Sequence, residues 1–431
     1  MLSSRALKNI AQLDRPWRFT PTPTYDPETS PKGLISFGMA ENRPMREEIV
    51  KFINEKVLNS IVVFSVDSIS YRSTTVSNAR LPDVAAAHMD RALKAHAPIN
   101  PEDVFVADSP TSLGHMLGYN LAAPSEGILV SRPVYGRFEL DYGIEAGVEI
   151  VYADTDTEEA FMPDVAEKYE QALADAKERG VNIRAVLLVN PHNPVGRCYP
   201  VKTLKHIARF CDRHRLHLIS DEVYASCVFD TGNPEAVPFT SILSLNLQDL
   251  IDPDLVHVLY GFSKDFASGG LRLGFLVTQN EQLRLACKMC SRFHSPSQAA
   301  VTIGMAILED QDFVESFTAK TRASLAAGYK LTTSTLDRAG INYIKGGNAG
   351  FFVYIDLSPF LPEGASIRER EFTLAQKLVD AGVFLHPGEE HGKDAGWFRL
   401  VFSQDESALK EGLRRLVEFI LLSLLCFLYN C

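Results

Sequence analysis

The residues of this 431-residue chain that could do chemistry stand where short apolar runs end. The clearest is Lys264, in the stretch YGFSKDFASGGLRLGF, where the apolar run LVHVL passes into a turn. A lysine ammonium at the edge of a core is unfavourable unless it is exposed, paired or chemically used. Arg272 follows eight positions later, after a run of small residues. The pattern therefore directs attention to the ends of the other apolar runs.

Polar side chains follow those runs as well. Asn193 lies in NPHNPVGR after AVLLV, and Asp221 and Tyr224 lie in DEVY after LHLIS. Ser109 and Thr111 come before a helical pattern, where a helix N-terminus favours an anion. Two of these residues also have an ordinary structural explanation. Asn193 could simply belong to a rigid Asn-Pro turn, and Asp221 could cap a helix or form an ion pair.

As a set, these groups match a phosphorylated aromatic aldehyde with a protonatable ring nitrogen. Pyridoxal phosphate has those needs. Lys264 would bond to its aldehyde and Asp221 would face its ring nitrogen. Asn193 and Tyr224 would contact its phenolic oxygen, and Arg272, beside the hydroxyls, would pair with its phosphate.

The surrounding pattern predicts an α/β fold that positions these strand ends. From about residue 100, apolar runs alternate with amphipathic helices, which indicates a mostly parallel sheet between helices. Ligands of such sheets lie beyond the carboxyl ends of the strands. After residue 310, long helices and the runs GFFVYIDL and WFRLVF predict a smaller α+β domain. We expect 1–70 to be an arm and part of the small domain, 71–310 the large domain, and 311–431 the C-terminal small domain.

Composition limits the partners. The net charge of −11 argues against sequence-independent nucleic-acid binding, which needs a basic excess. Seven scattered cysteines indicate a reducing compartment, and we expect a cytoplasmic protein. Cys287 and Cys290 have CxxC spacing, but they lie in a helical pattern without a second pair, which favours buried thiols over a metal site.

The two ends of the sequence differ in character. The first 40 residues are rich in Pro and Thr, lack a secretory signal, and predict an extended arm. The apolar run FILLSLLCFLY, residues 419–429, has 11 residues, against the ~20 that span a bilayer. We expect a buried terminal helix there and no membrane association, with a misread gene end as the alternative explanation of the apolar run.

From about residue 33 to 415 the sequence resembles the class I/II pyridoxal-phosphate-dependent aminotransferases of fold type I. Within that family it resembles the 1-aminocyclopropane-1-carboxylate synthase-like branch. The motifs that carry the resemblance are GLISFGMAEN, RPVYGRF, NPHNPVG, SDEVYA, SKDFASGGLRLG, GNAGFFVYIDL and GWFRLVFS. The resemblance implies a homodimer, an amino-acid substrate, and Lys264 as covalent anchor and proton-transfer base.

The resemblance also implies roles for residues that spacing alone does not single out. Tyr135 would stack on the cofactor ring, and Ser263 and Thr111 would contact the phosphate. Arg399 would clamp the substrate carboxylate, for which a planar guanidinium is suited, although alone it could equally form a structural ion pair. The resemblance further implies that Glu41 and Asn42 contact the substrate and that Tyr71 reaches the cofactor of a neighbouring subunit.

The sequence departs from the family pattern at three places. Ser109-Pro110-Thr111 stands where Gly-Ala-Thr is usual, and Gly261 stands where a serine is common. Near Arg399, the segment PGEEHGKDAGWFR replaces the usual Ser-x-Phe and carries His391. The third departure suggests a substrate outside central metabolism, as for relatives in filamentous fungi that serve secondary-metabolite pathways.

The cofactor residues are common to several reactions, so the motifs do not choose among them. We expect an aminotransferase first, a carbon–sulfur lyase second, and a cyclopropane-forming synthase third. A regulator on this fold would carry an added DNA-binding domain, and the Pro-rich arm is too short for one. A non-catalytic relative is disfavoured because Lys264, Asp221 and Arg399 are all present, and no G-x-G-x-x-G follows a first strand as in dinucleotide oxidoreductases.

Overall fold

The computed structural model describes residues 2–13, 20–58, 80–364, 366–388 and 394–429. The α-helices of this part are α1 Ser4–Ile10, α2 Arg46–Ile53, α3 Leu81–Leu93, α4 Pro110–Leu121, α5 Phe138–Gly143, α6 Val165–Glu178, α7 Val201–His214, α8 Phe262–Asp265, α9 Glu281–His294, α10 Gln298–Glu309, α11 Gln311–Ala339, α12 Ile367–Asp380 and α13 Glu406–Tyr429. Its strands are β1 Ile35–Ser36, β2 Val104–Ala107, β3 Gly127–Ser131, β4 Glu149–Ala153, β5 Ile183–Val189, β6 His217–Asp221, β7 Val256–Gly261, β8 Gly274–Val277, β9 Phe352–Asp356, β10 Val383–Phe384, β11 His386–Pro387 and β12 Trp397–Val401.

A seven-stranded sheet forms the centre of the molecule. Its strand order is β2-β8-β7-β6-β5-β3-β4, and only β8 runs against its neighbours. The strands of this sheet coincide with the short apolar runs that follow residue 100 in the sequence. The prediction of a mostly parallel α/β sheet is confirmed.

The strands are mostly apolar on both sides because helices cover both faces of the sheet. Along β5, Val186 and Leu188 face the core beneath α3, α6 and α7. Ala185, Leu187 and Val189 face the opposite core, beneath α4, α5 and α9. The alternation follows from the period of two in a strand. Because both faces of the sheet are covered, polar side chains can reach a cavity only at the strand ends, here the carboxyl ends of β5, β6 and β7.

A second, smaller unit is built around the antiparallel sheet β11-β12-β9 and the helices α11, α12 and α13, with its own core. The N-terminal segment joins it, because β1 pairs in parallel with β10. Arg415 of α13 secures this segment by donating to the carbonyl oxygens of Pro31, at 2.6 Å, and Gly33, at 2.7 Å. The division into 1–70, 71–310 and 311–431 stays a prediction.

Both ends of the chain differ in part from expectation. The first 40 residues contain the helix α1, so they are not extended throughout. The apolar C-terminal run is helical as expected, but Leu421 and Leu422 are exposed, so the prediction of a buried helix is wrong at these positions. Within the described residues, no helix is long and apolar enough to cross a membrane.

Candidate active site

A cavity of about 510 Å³ lies beyond the carboxyl ends of β5, β6 and β7, against the smaller unit. Ten of the twelve predicted site residues line it: Glu41, Thr111, Tyr135, Asn193, Asp221, Tyr224, Ser263, Lys264, Arg272 and Arg399. Asn42 is buried away from the cavity, and its amide donates to Thr321 Oγ1 at 3.5 Å. Tyr71 and His391 lie outside the described residues.

Lys264 enters the cavity from α8, directly after β7. Its Nζ donates to the carbonyl oxygen of Ala40 at 2.7 Å and lies 5.7 Å from the centre of the Tyr224 ring. Burial, and then the nearby charge of Arg399, lower the pKa of Lys264 to about 8. At pH 7 about a tenth of this amine is therefore unprotonated, far more than for an ordinary lysine, and that fraction can act as a nucleophile or a base.

Asp221 is the last residue of β6 and lines the same cavity. Burial raises the pKa of its carboxyl to about 6, against the lowering effects of the Val223 N–H and of the charge on Lys264. The Val223 N–H donates to Oδ1 at 3.3 Å. A cation placed in the cavity next to this carboxylate would hold it ionised.

Arg399 brings three segments of the chain together. From β12, only 4% exposed, it donates to Asn193 Oδ1 at 3.1 Å and to the carbonyl oxygen of Gly38 at 2.8 Å. Both acceptors are neutral. Asn193 comes from the turn after β5, and Gly38 from the segment after β1. The guanidinium is thus held in place while it faces the cavity.

Aromatic side chains fix the ring of Tyr224. Phe351 and Phe352 pack edge-on against it, with ring centres 5.2 and 5.4 Å away. Burial raises the pKa of Tyr224, so the phenol stays protonated and can donate a hydrogen bond. Tyr135 also lines the cavity and meets Phe138 edge-on at 5.2 Å.

The N-terminus of α4 forms one end of the cavity. Ser109 caps this helix, and its Oγ accepts from the Ser112 N–H at 3.1 Å. Thr111 and Ser263 line the same region. Arg272 reaches the rim in the left-handed region, with φ +57°, and donates to the carbonyl oxygen of Gly269 at 3.1 Å. Helix N-terminus, hydroxyls and guanidinium make this end suitable for a phosphate.

The departures at Pro110 and Gly261 are linked in space. A Cβ on Gly261 would lie 2.7 Å from Cγ of Pro110 and 3.2 Å from the carbonyl oxygen of Leu273. The proline ring therefore occupies the position that a serine at 261 would need. The lost hydroxyl and the lost N–H in this part of the site result from one packing arrangement.

Several cavity residues were missed by the sequence reasoning. His386 lies at the site, and its Nε2 is 2.8 Å from Thr20 Oγ1. It follows the apolar run VFL, so the same strand-end argument could have found it. Arg137 and Tyr142 also line the cavity but come from the turn and helix after Tyr135, where no apolar run ends. Glu41, which was predicted, forms an ion pair with Arg46.

The fold and the site together define the class of protein: an α/β enzyme that could hold a phosphorylated aldehyde on a lysine. The chain belongs to the aminotransferase class I and II family, whose model matches residues 70–416.

Named relatives cover most of the chain. The 1-aminocyclopropane-1-carboxylate synthase-like protein 1 of Homo sapiens is 30% identical over 92% of this chain and 78% of its own. The 1-aminocyclopropane-1-carboxylate synthase 2 of Solanum lycopersicum is 28% identical over 94% and 83%. The fold matches a Thermus thermophilus aspartate aminotransferase double mutant with a TM-score of 0.75 and 20% identity, over 97% of both chains.

These relatives make the chain a pyridoxal-phosphate-dependent enzyme. Its own residues fit that group. The buried Lys264 amine has a lowered pKa, the Asp221 carboxylate lies in the same cavity, and the α4 N-terminus lies beside Ser263 and Arg272. Lys264 would hold the aldehyde carbon, Asp221 the ring nitrogen, and the α4 end the phosphate.

The packing of Pro110 against Gly261 gives a stability prediction. Gly261→Ser should lower the free energy of unfolding by about 1–3 kcal/mol, because the new side chain overpacks against the proline ring. Adding Pro110→Ala should restore most of the loss. Denaturant unfolding of the cofactor-free protein measures both. A single variant as stable as the parent, or a double variant no better than the single, would show that the two positions are not coupled.

The lowered pKa of Lys264 gives a pH prediction. Only the neutral amine attacks an aldehyde, so the rate at which cofactor-free protein takes up pyridoxal phosphate should rise with pH and level off above about 8. Arg399→Met removes a positive charge that lowers this pKa, so the midpoint should move to higher pH. The matched control is Arg414→Met on the exposed face of α13, which should leave the midpoint unchanged. An identical midpoint in the Arg399 variant would contradict the assignment.

Proposed function

We propose that the protein is an aminotransferase that acts on an α-amino acid or an amino-acid-derived intermediate. The observation that carries the proposal is that Lys264 and Arg399 face one cavity and interact electrostatically. A substrate whose carboxylate rests on Arg399 would present its Cα toward the lysine amine.

In this proposal Arg399 binds and orients the substrate carboxylate. Its hydrogen bonds to Asn193 and Gly38 hold the guanidinium in place before substrate binds, so the side chain loses less conformational entropy on binding. A charge-assisted pair between a planar guanidinium and a carboxylate is strong and directional. Replacing Arg399 by Lys would keep the positive charge but lose the two parallel N–H donors that bind a carboxylate.

Lys264 moves the proton. The free Lys264 amine, with a pKa of about 8, would accept the Cα proton of a substrate whose carboxylate rests on Arg399. Bound pyridoxal phosphate supplies the aldehyde that takes up the amine and the ring that accepts the electron pair. The Asp221 carboxylate would hold the proton on the ring nitrogen.

The same residues would serve a second reaction, ring closure at Cα. Similarity to the human 1-aminocyclopropane-1-carboxylate synthase-like protein 1 and the tomato 1-aminocyclopropane-1-carboxylate synthase 2 favours it. That reaction also begins with removal of the Cα proton. Elimination of a β-substituent, which gives a carbon–sulfur lyase, shares this step too.

A donor screen tests the proposal. The purified holoenzyme is mixed with single amino acids, and the visible band of the aldehyde form is followed. For at least one donor, the band should convert to that of the amine form, with one 2-oxo acid released per site, and Lys264→Ala should show no conversion. Thiol and ammonia release indicates the lyase, and a cyclopropane amino acid indicates the synthase. If no amino donor converts the cofactor, the aminotransferase proposal is wrong.

We also propose a role in secondary metabolism. Its support is the altered segment before Arg399 and the presence of His386 and Glu41 at the cavity, which suit an unusual side chain. The donor screen should then favour a non-standard or modified amino acid over aspartate, glutamate and alanine. Equal or better turnover of those three would contradict this part.

We place the enzyme in the cytoplasm. The support is that Cys198, Cys211, Cys227, Cys287 and Cys290 are free thiols, four of them buried, as is usual in a reducing compartment. Fractionation of cells that produce the full chain should recover it with cytoplasmic markers, and recovery with an organelle fraction would contradict the assignment.

A homodimer is the proposed assembly. Helix α9 exposes Leu285, Met289 and Phe293 at a spacing of four residues, with Met289 76% and Phe293 79% exposed. Such a stripe on one helix face is typical of a protein contact. A second copy of the chain is the proposed occupant because the family resemblance predicts a dimer.

Charge on this stripe should break the dimer. The double variant Met289→Glu, Phe293→Glu should sediment as a monomer at concentrations at which the parent is a dimer. The matched control, Met162→Glu, changes an exposed methionine outside α9 and should leave the dimer intact. A parent protein that sediments as a monomer, or a double variant that remains dimeric, would contradict the proposal.

A further inference from the structure

Tyr142 of α5 is a buried tyrosine at the cavity with an unusual hydroxyl. The side chain is only 1% exposed and lines the same cavity as Asp221. Its Oη has no hydrogen-bond partner among the described residues. Buried hydroxyls normally have one, because leaving water without a new partner is unfavourable. Two other buried tyrosines do have partners: Tyr169 with Ser131 at 2.8 Å, and Tyr260 with His88 at 3.0 Å.

Two glycines of α4 make room for this ring. A Cβ on Gly118 would lie 3.0 Å from Cδ1 of Tyr142, and one on Gly114 would lie 3.3 Å from Cζ and 3.4 Å from Oη. Gly114 itself lines the cavity. Any larger residue at these positions would crowd the ring, and the hydroxyl lies next to Gly114, itself a residue of the cavity lining.

The hydroxyl is suited to donate. Burial raises the pKa of Tyr142 well above its ordinary value, and the charge of Asp221 raises it further, so the phenol keeps its proton. Among the described residues, the Asp221 carboxylate accepts one hydrogen bond, from the Val223 N–H to Oδ1 at 3.3 Å. A carboxylate that is to stay ionised at a buried site needs donors or a cation.

We propose that Tyr142 is a positioning residue for Asp221, whose carboxylate accepts a hydrogen bond from the Tyr142 hydroxyl when pyridoxal phosphate is bound. The bond favours the ionised carboxylate and orients it toward the ring nitrogen, so the cofactor is held more tightly. The inference rests on the cofactor site alone. It holds whether the enzyme transaminates, eliminates or closes a ring.

Tyr142→Phe tests the proposal because it removes only the hydroxyl and keeps the ring in the glycine groove. The dissociation constant of pyridoxal phosphate should rise about tenfold, the usual effect of losing a hydrogen bond to a charged group. The melting temperature of the cofactor-free variant should stay the same or rise, because an unpartnered buried hydroxyl is gone. The control, Tyr169→Phe, removes a hydroxyl that bonds Ser131 and should leave cofactor affinity unchanged.

The decisive comparison repeats Tyr142→Phe in an Asp221→Ala background. If the hydroxyl acts through the carboxylate, the second substitution should change the dissociation constant by less than about twofold there. A full tenfold effect without Asp221 would overturn the proposal. So would unchanged affinity in the single variant, or a lowered melting temperature of its cofactor-free form, which would assign Tyr142 to the core. All these readouts are independent of turnover.

Discussion

The Arg399 guanidinium connects the parts of the structure on which the site depends. It joins β12 of the smaller unit to the carbonyl of Gly38 in the N-terminal segment and to Asn193 beyond β5. A buried guanidinium needs hydrogen-bond acceptors, and two of those that Arg399 uses come from segments far apart in the chain. Burial, and after it the same charge, lower the pKa of Lys264 in the cavity. Packing of the smaller unit against the sheet and the reactivity of the lysine are therefore linked through one side chain.

The cavity combines a chemistry common to the family with packing of its own. Lys264, Asp221 and Arg399 supply amine, carboxylate and guanidinium, and Pro110 packs against Gly261 at the α4 end of the cavity. A side chain at position 261 would meet the proline ring, so the residue at one position restricts the residue at the other.

The sequence predicted the sheet well because its strands are covered on both faces and appear as short apolar runs. The strand-end residues could be predicted for the same reason, since parallel strands bring their carboxyl ends to one edge. Tyr142 could not be found this way, because its place depends on a groove formed by Gly114 and Gly118 on another helix. Leu421 and Leu422 were predicted to be buried but are exposed, because apolar composition alone does not say whether another element covers a helix face. Asn42 was assigned to substrate by motif, yet its side chain turns toward α11.

The central claim is that Lys264 holds the cofactor covalently. Borohydride reduction of the holoenzyme, followed by proteolysis and mass spectrometry, tests it directly, because reduction makes a carbon–nitrogen double bond to a lysine permanent. The account predicts that the cofactor mass is found on the peptide that carries Lys264, with one label per chain. A label on another lysine, or no label on a protein that has taken up the cofactor, would contradict it.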